Sequence, residues 1–162
     1  MTLAADAVAA LRAAGATVAT AESLTGGLVC ATLVGVPGAS DVVRGGVVAY
    51  APELKTTLLG VDASIIAERG TVDALVAARM AEGARDRLGA TYGLATTGVA
   101  GPDPSEGKPA GTVHIGVAGP RGVVTEQLSL TGDRDSIRSQ TVAALLSGLV
   151  ATLGEESRPV DG

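Results

Sequence analysis

Leu3, Ala4, Ala7, Val8 and Leu11 recur at intervals of three and four, which places them on one face of a helix over residues 3–14, and Gly15 ends it. Residues 16–21 follow as a short buried strand. Ser23 to Gly27 then marks a sharp turn into a second helical segment at about 26–34. Val42 to Tyr50 is a β-branched run interrupted by Gly45 and Gly46, and Pro52 suits the first turn of a short helix, with another expected over 62–68. The clearest helical stripe is 71–88: Val72, Leu75, Val76, Met80, Ala84 and Leu88 share a face that Asp73, Arg79, Glu82 and Arg85 avoid, with Thr71 in the capping place. Three strand-like runs come next, 92–97, 111–118 and 122–130, the last two joined by a hairpin turn at Gly119 to Arg121. A final helix is expected over 133–153. Its apolar residues, from Ile137 to Leu153, cover more than one face, as burial on two sides or contact with a second subunit would require, and a homodimer is the expectation drawn from it.

Strands alternating with helices, and one late hairpin, predict an α/β fold: a three-layer sandwich with a mixed, mostly parallel central sheet and helices on both faces. Residues 1–153 read as a single domain and 154–162 as a flexible tail.

Composition narrows the chemistry. A chain of 162 residues with 46% apolar content can bury a core without a disulfide or a metal staple. There is no Phe or Trp, so that core is aliphatic and offers no aromatic shelf for stacking a base. Seventeen acidic residues against twelve basic give a net charge of −5, which argues against a nucleic-acid or membrane partner. Cys30 is alone, sits among apolar neighbours and reads as a buried, inert thiol. No signal-peptide pattern opens the chain, and a cytoplasmic location is expected. One His and one Cys far apart provide no ligand spacing, so no metal site is expected.

Two familiar patterns fail. Gly101 to Lys108 has five residues between its glycines where a phosphate loop needs four, and Pro109 stands where that motif binds magnesium. Ser23, Tyr50 and Lys55 suggest a short-chain dehydrogenase, but the Tyr–Lys gap is one residue too long and no dinucleotide fingerprint follows the first strand. His114, the single histidine, lies in an alternating strand with no acid nearby and reads as structural.

What survives is Ala21-Glu22-Ser23-Leu24-Thr25-Gly26-Gly27 at a strand-to-helix junction. Glycines there allow a tight turn and would leave backbone N–H groups and a helix N-terminus free to favour negative charge. Ser23 could attack a carbonyl, or Ser23 or Thr25 could simply cap the helix. Without an eligible histidine, a serine nucleophile needs a lysine whose pKa is lowered. Of Lys55 and Lys108, Lys55 follows an apolar strand and is the better candidate, although its local pattern equally suits a solvated helix residue. Thr96 to Pro102 leaves a strand end with hydroxyls and mobile backbone suited to a carboxamide or phosphate, or makes an ordinary turn. Arg134 and Arg138, four apart at the start of the last helix, could hold a phosphate monoester, or could pair with Asp133 and Asp135.

In order along the chain, Ala21-Glu22-Ser23 with Thr25-Gly26-Gly27, Pro37 to Ser40, Gly46 through Tyr50 with Lys55, Leu59-Gly60-Val61, Thr97 to Pro102, Lys108 to Val113 and Gly132-Asp133-Arg134 resemble the CinA C-terminal domain family. Stand-alone members of that family include nicotinamide-nucleotide amidohydrolases. The resemblance implies hydrolysis of the carboxamide of nicotinamide mononucleotide to nicotinate mononucleotide and ammonia, without a cofactor. By the same resemblance Ser23 is the nucleophile, Lys55 the general base and Tyr50 a hydrogen-bonding helper. Thr25, Gly26, Gly27, Thr97, Gly98 and Gly101 would form the substrate or oxyanion site, and Arg134 or Arg138 would hold the 5′-phosphate. Two stretches depart from the family pattern: Ala51-Pro52 stands where Ser-Asn is common, and Pro104-Ser105-Glu106 where a Gly-Gly-Thr-like loop is common. The alternative function is a non-catalytic nucleotide-binding or regulatory module on the same fold.

Overall fold

A computed structural model of the chain describes residues 1–160. Helix α1 (Leu3–Ala13) leads into β1 (Val18–Glu22), then α2 (Leu28–Val34), a single 3-10 turn at Ala39–Asp41 and β2 (Val43–Val48). Three helices follow, α3 (Pro52–Leu59), α4 (Ala63–Arg69) and α5 (Ala74–Arg87), before β3 (Tyr92–Gly98), β4 (Thr112–Gly119), β5 (Gly122–Ser129) and the long α6 (Arg134–Glu156). The strands form one sheet in the order β2-β1-β3-β4-β5. β1 pairs in parallel with β2 and β3, while β3–β4 and β4–β5 are antiparallel, so four of the five strands point the same way.

Helices cover both faces, as a three-layer α/β sandwich requires. Leu11 of α1, Val29 and Leu33 of α2, and Leu145, Leu146 and Leu149 of α6 pack on one face with Val18, Leu94, Val113 and Ile115. On the other, Val76, Met80, Ala81 and Ala84 of α5 meet Ala19, Ala21, Ala95 and Ala118. The second interface is made of small residues, and a Cβ at Gly93 would run into the Ala81 carbonyl of α5. Close approach of helix to sheet replaces aromatic volume in this core.

The apolar spread of α6 is explained within one chain, because its buried residues are shared between α1 and the sheet. The helix also runs to Glu156, three residues past the sequence-based limit; positions 161–162 of the expected tail lie outside the described residues.

Two helix starts differ from the sequence reading. α5 begins after Asp73, whose carboxylate accepts the N–H groups of Leu75 and Val76, whereas Thr71 is occupied elsewhere by Glu106. α2 begins at Leu28, not Gly26, because Gly26 (φ +58°) and Gly27 (φ +103°) are both left-handed and extend the turn. The connection after β1 leaves toward β2 and that after β3 toward β4, which opens a crevice beyond the carboxyl ends of these two central strands.

Candidate active site

Ser23 follows the last residue of β1 and therefore stands in that crevice. Lys55 reaches it from α3, where Pro52 sets the first helical turn and the lysine sits one turn further on. Its ammonium nitrogen Nζ lies 3.0 Å from Ser23 Oγ, 2.7 Å from the Ala49 carbonyl and 3.3 Å from the Tyr50 carbonyl. Lys55 is 1% exposed and, among the described residues, has no carboxylate partner within ion-pairing distance. Burial lowers its pKa from 10.5 to about 8, against the smaller opposing pull of Glu106 and Glu53. The two carbonyls and the hydroxyl are three acceptors for the ammonium; on loss of one proton the carbonyls can keep the two remaining N–H bonds, which turns the lone pair to the serine hydroxyl.

The turn carrying Ser23 is fixed from below by Glu22. This carboxylate is 1% exposed and accepts the Thr25 hydroxyl at 2.6 Å and the N–H groups of Val29 and Cys30 at 2.8 and 3.0 Å. The Thr25 hydroxyl also lies 2.8 Å from that of Thr96, and both the Thr96 hydroxyl and its carbonyl accept the Ser23 N–H. Arg138 holds the same turn from above, donating to the Leu24 and Thr25 carbonyls. The expectation of free donors at the start of α2 is thereby corrected, since Glu22 already fills that helix end and neither Ser23 nor Thr25 caps it. The N–H groups of Leu24, Thr25 and Gly27 in the turn, and of Ala100 and Gly101 across the crevice, donate to no protein group among the described residues.

Beside the serine opens a cleft of about 360 Å³ lined by Leu24, Tyr50, residues 98–103, Ser105 and Arg134. The Arg134 guanidinium donates to the Gly101 carbonyl at 2.6 Å and lies 3.4 Å from the Tyr50 hydroxyl. Tyr50 thus meets Lys55 through its backbone and the cleft through its exposed ring. The two arginines of α6 separate: Arg134 faces the cleft, Arg138 the turn. Thr97 is buried and its hydroxyl donates to the Thr71 carbonyl at 2.7 Å.

The 101–111 loop is pinned by Glu106, whose carboxylate accepts the N–H groups of Thr71 and Val72 and the Thr71 hydroxyl, and by Lys108, which donates to the Val72 carbonyl. His114 stands on β4 opposite Thr97, outside the Ser23–Lys55 pair, with Nδ1 buried and unpartnered among the described residues. Burial, then Lys108, lowers its pKa. Cys30 lies within α2 and is half-buried, where the sequence suggests full burial. Among the described residues no group of His, Cys, Asp and Glu could hold a metal ion.

Sequence reasoning placed Glu22 and Thr96 within candidate motifs but gave neither a role in holding the serine. The one available signal was an acidic residue ending an otherwise apolar strand, Val18-Ala-Thr-Ala-Glu22.

Residues 1–153 match the CinA C-terminal domain family. A CinA-like protein of Frankia casuarinae is 58% identical over 131 residues, which is 81% of this chain and 30% of that protein, so the chain spans under a third of that curated relative. Among solved structures, a competence-damaged protein (CinA) superfamily member from Klebsiella pneumoniae superposes with a TM-score of 0.92 at 31% identity, covering 94% of this chain and 96% of its own. The competence/damage inducible protein CihA of Agrobacterium tumefaciens gives 0.89 at 36%, covering 94% and 93%. With its fold, its motifs and its match over residues 1–153 in agreement, the chain belongs to the CinA C-terminal domain family.

Proposed function

We propose that this chain is an amidohydrolase that converts the carboxamide of nicotinamide mononucleotide to a carboxylate, giving nicotinate mononucleotide and ammonia. The observation that carries the reading is the buried contact between Lys55 Nζ and Ser23 Oγ, with a lysine pKa lowered to about 8. At neutral pH a substantial minority of such lysines is unprotonated and able to take the serine proton. Ser23 Oγ then bonds to the carboxamide carbon, and the oxyanion lies toward the open N–H groups of the turn and the 98–101 backbone. Lys55 returns the proton to the leaving nitrogen, the C–N bond breaks and ammonia departs. Water attacks the resulting ester with Lys55 again as base, releasing the carboxylate and restoring Ser23.

Arg134 is the arginine available to the 5′-phosphate, because Arg138 already serves two carbonyls of the turn. The exposed ring of Tyr50, with Leu24 and Val99, lines the cleft where the pyridine ring would lie. Purified protein incubated with nicotinamide mononucleotide is expected to release ammonia, and Ser23→Ala to release none above background. Binding of the mononucleotide without turnover by the unmutated protein would instead favour a regulatory module.

A further inference from the structure

We propose that Glu22 is a positioning residue for the nucleophile, holding the Ser23 turn in register with both α2 and β3 so that the serine hydroxyl stays within reach of Lys55. The proposal rests on the reading of Ser23 and Lys55 as a catalytic pair. Burying a carboxylate costs several kcal/mol unless its oxygens are well supplied with donors. Glu22 has three at 2.6–3.0 Å: the Thr25 hydroxyl and the Val29 and Cys30 N–H groups. A helix is ordinarily capped by a side chain at its own N-cap position, but that position here is Gly27, which has none.

The difference matters mechanically. A local cap would tie α2 to itself, leaving the turn before it free. Glu22 is the residue next to the nucleophile, so each bond it makes to α2 fixes the helix relative to Ser23. Thr25 extends the tie across the sheet, since its hydroxyl joins Glu22 to Thr96, and Thr96 accepts the Ser23 N–H. Glu22 makes no hydrogen bond or ion pair with Lys55 and does not line the cleft, so it acts on where Ser23 Oγ stands and not on the lysine's proton affinity.

The test uses the full chain and phenylmethanesulfonyl fluoride, which labels an activated serine by forming an O–S bond with loss of fluoride, followed by mass spectrometry of the Ser23 peptide. This readout is independent of the natural substrate. Thr25→Val removes the central hydroxyl with little change of shape, Thr25→Ser keeps it, and Glu22→Gln turns one acceptor into a donor facing an N–H. Thr25→Val and Glu22→Gln are expected to lower the plateau labelling rate about tenfold or more, with Thr25→Ser within about twofold of the unmutated protein. The pH inflection near 8 should stay in place. With nicotinamide mononucleotide the same loss should appear in kcat and not in KM. If Glu22→Gln fails to fold, the Thr25 pair decides. Labelling of Thr25→Val at the unmutated rate, or a shifted inflection at an unchanged plateau, overturns the proposal while leaving the catalytic pair standing. Absence of both labelling and ammonia release in the unmutated protein overturns the pair itself, and this proposal with it.

Discussion

Two buried charged side chains flank Ser23, and they are solvated in opposite ways. Glu22 has donors fixed by backbone and by a buried threonine, so its environment favours one arrangement and holds it. Lys55 has two carbonyls and a hydroxyl as partners and, among the described residues, no contacting carboxylate to stabilise a cation. The first environment stores position and the second stores reactivity. Burial alone therefore does not say what a charged residue is for; the question is whether its partners match the charged form or the neutral one.

The largest expected effect comes from removing the reactive member. Lys55→Met keeps the volume of the stem and deletes the base, and ammonia release is expected to fall by about 10²–10⁴-fold. The same substitution should not lower thermal stability. Lys55 has a folded pKa near 8 against 10.5 when unfolded, so below pH 8 the unfolded chain accommodates its proton better by about 3 kcal/mol. That penalty fades as pH rises from about 8 to 10.5, where the unfolded chain binds more protons than the folded one. Unmutated protein should thus gain stability on Lys55→Met across this window, measured by denaturant titration at several pH values. Melting of Lys55→Met well below the unmutated protein at pH 7 would show that the ammonium is a structural pin.

The pH profile is the next discriminator. kcat/KM is expected to rise with pH to a plateau, with its inflection near 8 and the neutral amine as the active form. A profile that falls through that range would mean that the cation is what the reaction uses.

A third comparison sets the two arginines of α6 against each other. Arg134→Ala should raise KM for the mononucleotide by about tenfold or more, with little effect on an analogue lacking the phosphate. Arg138→Ala should act mainly on kcat, because its partners are the Leu24 and Thr25 carbonyls. Equal effects on KM would break the separation of roles.

Much of this site was legible in the sequence, and the rest fails for a physical reason. Gly26 and Gly27 announced the turn because left-handed backbone is a local requirement. The stripe on α5 announced its buried face because amphipathic spacing is also local. Lys55 was visible only as one of two lysines, since its burial depends on how α3 folds back over the crevice. Glu22 carries no role that local pattern reveals: its donors come from three, seven and eight residues onward, and only through Thr25 is it linked to Thr96 of β3. The cap of α5 went to Asp73 because a loop 35 residues away had engaged Thr71. Arg134 and Arg138 look interchangeable as spacing and are separated only by which carbonyls the fold brings within reach.

The smallest expected effect tests whether the neighbourhood of Lys55 is as poor in negative charge as its direct contacts suggest. Glu106 does not touch the lysine, yet it is the larger of the two carboxylate influences that hold the lysine's pKa up against burial. Glu106→Gln keeps an oxygen for the N–H groups of Thr71 and Val72 while removing the charge. The inflection of kcat/KM should then move to lower pH by a few tenths of a unit, and the displacement should shrink as salt screens the interaction in the unmutated protein. Movement in the opposite direction would mean that Glu106 sets the reactivity of Lys55 through the shape of the 101–111 loop and not through its charge. The lysine would then owe its poise to that loop as well as to its own burial.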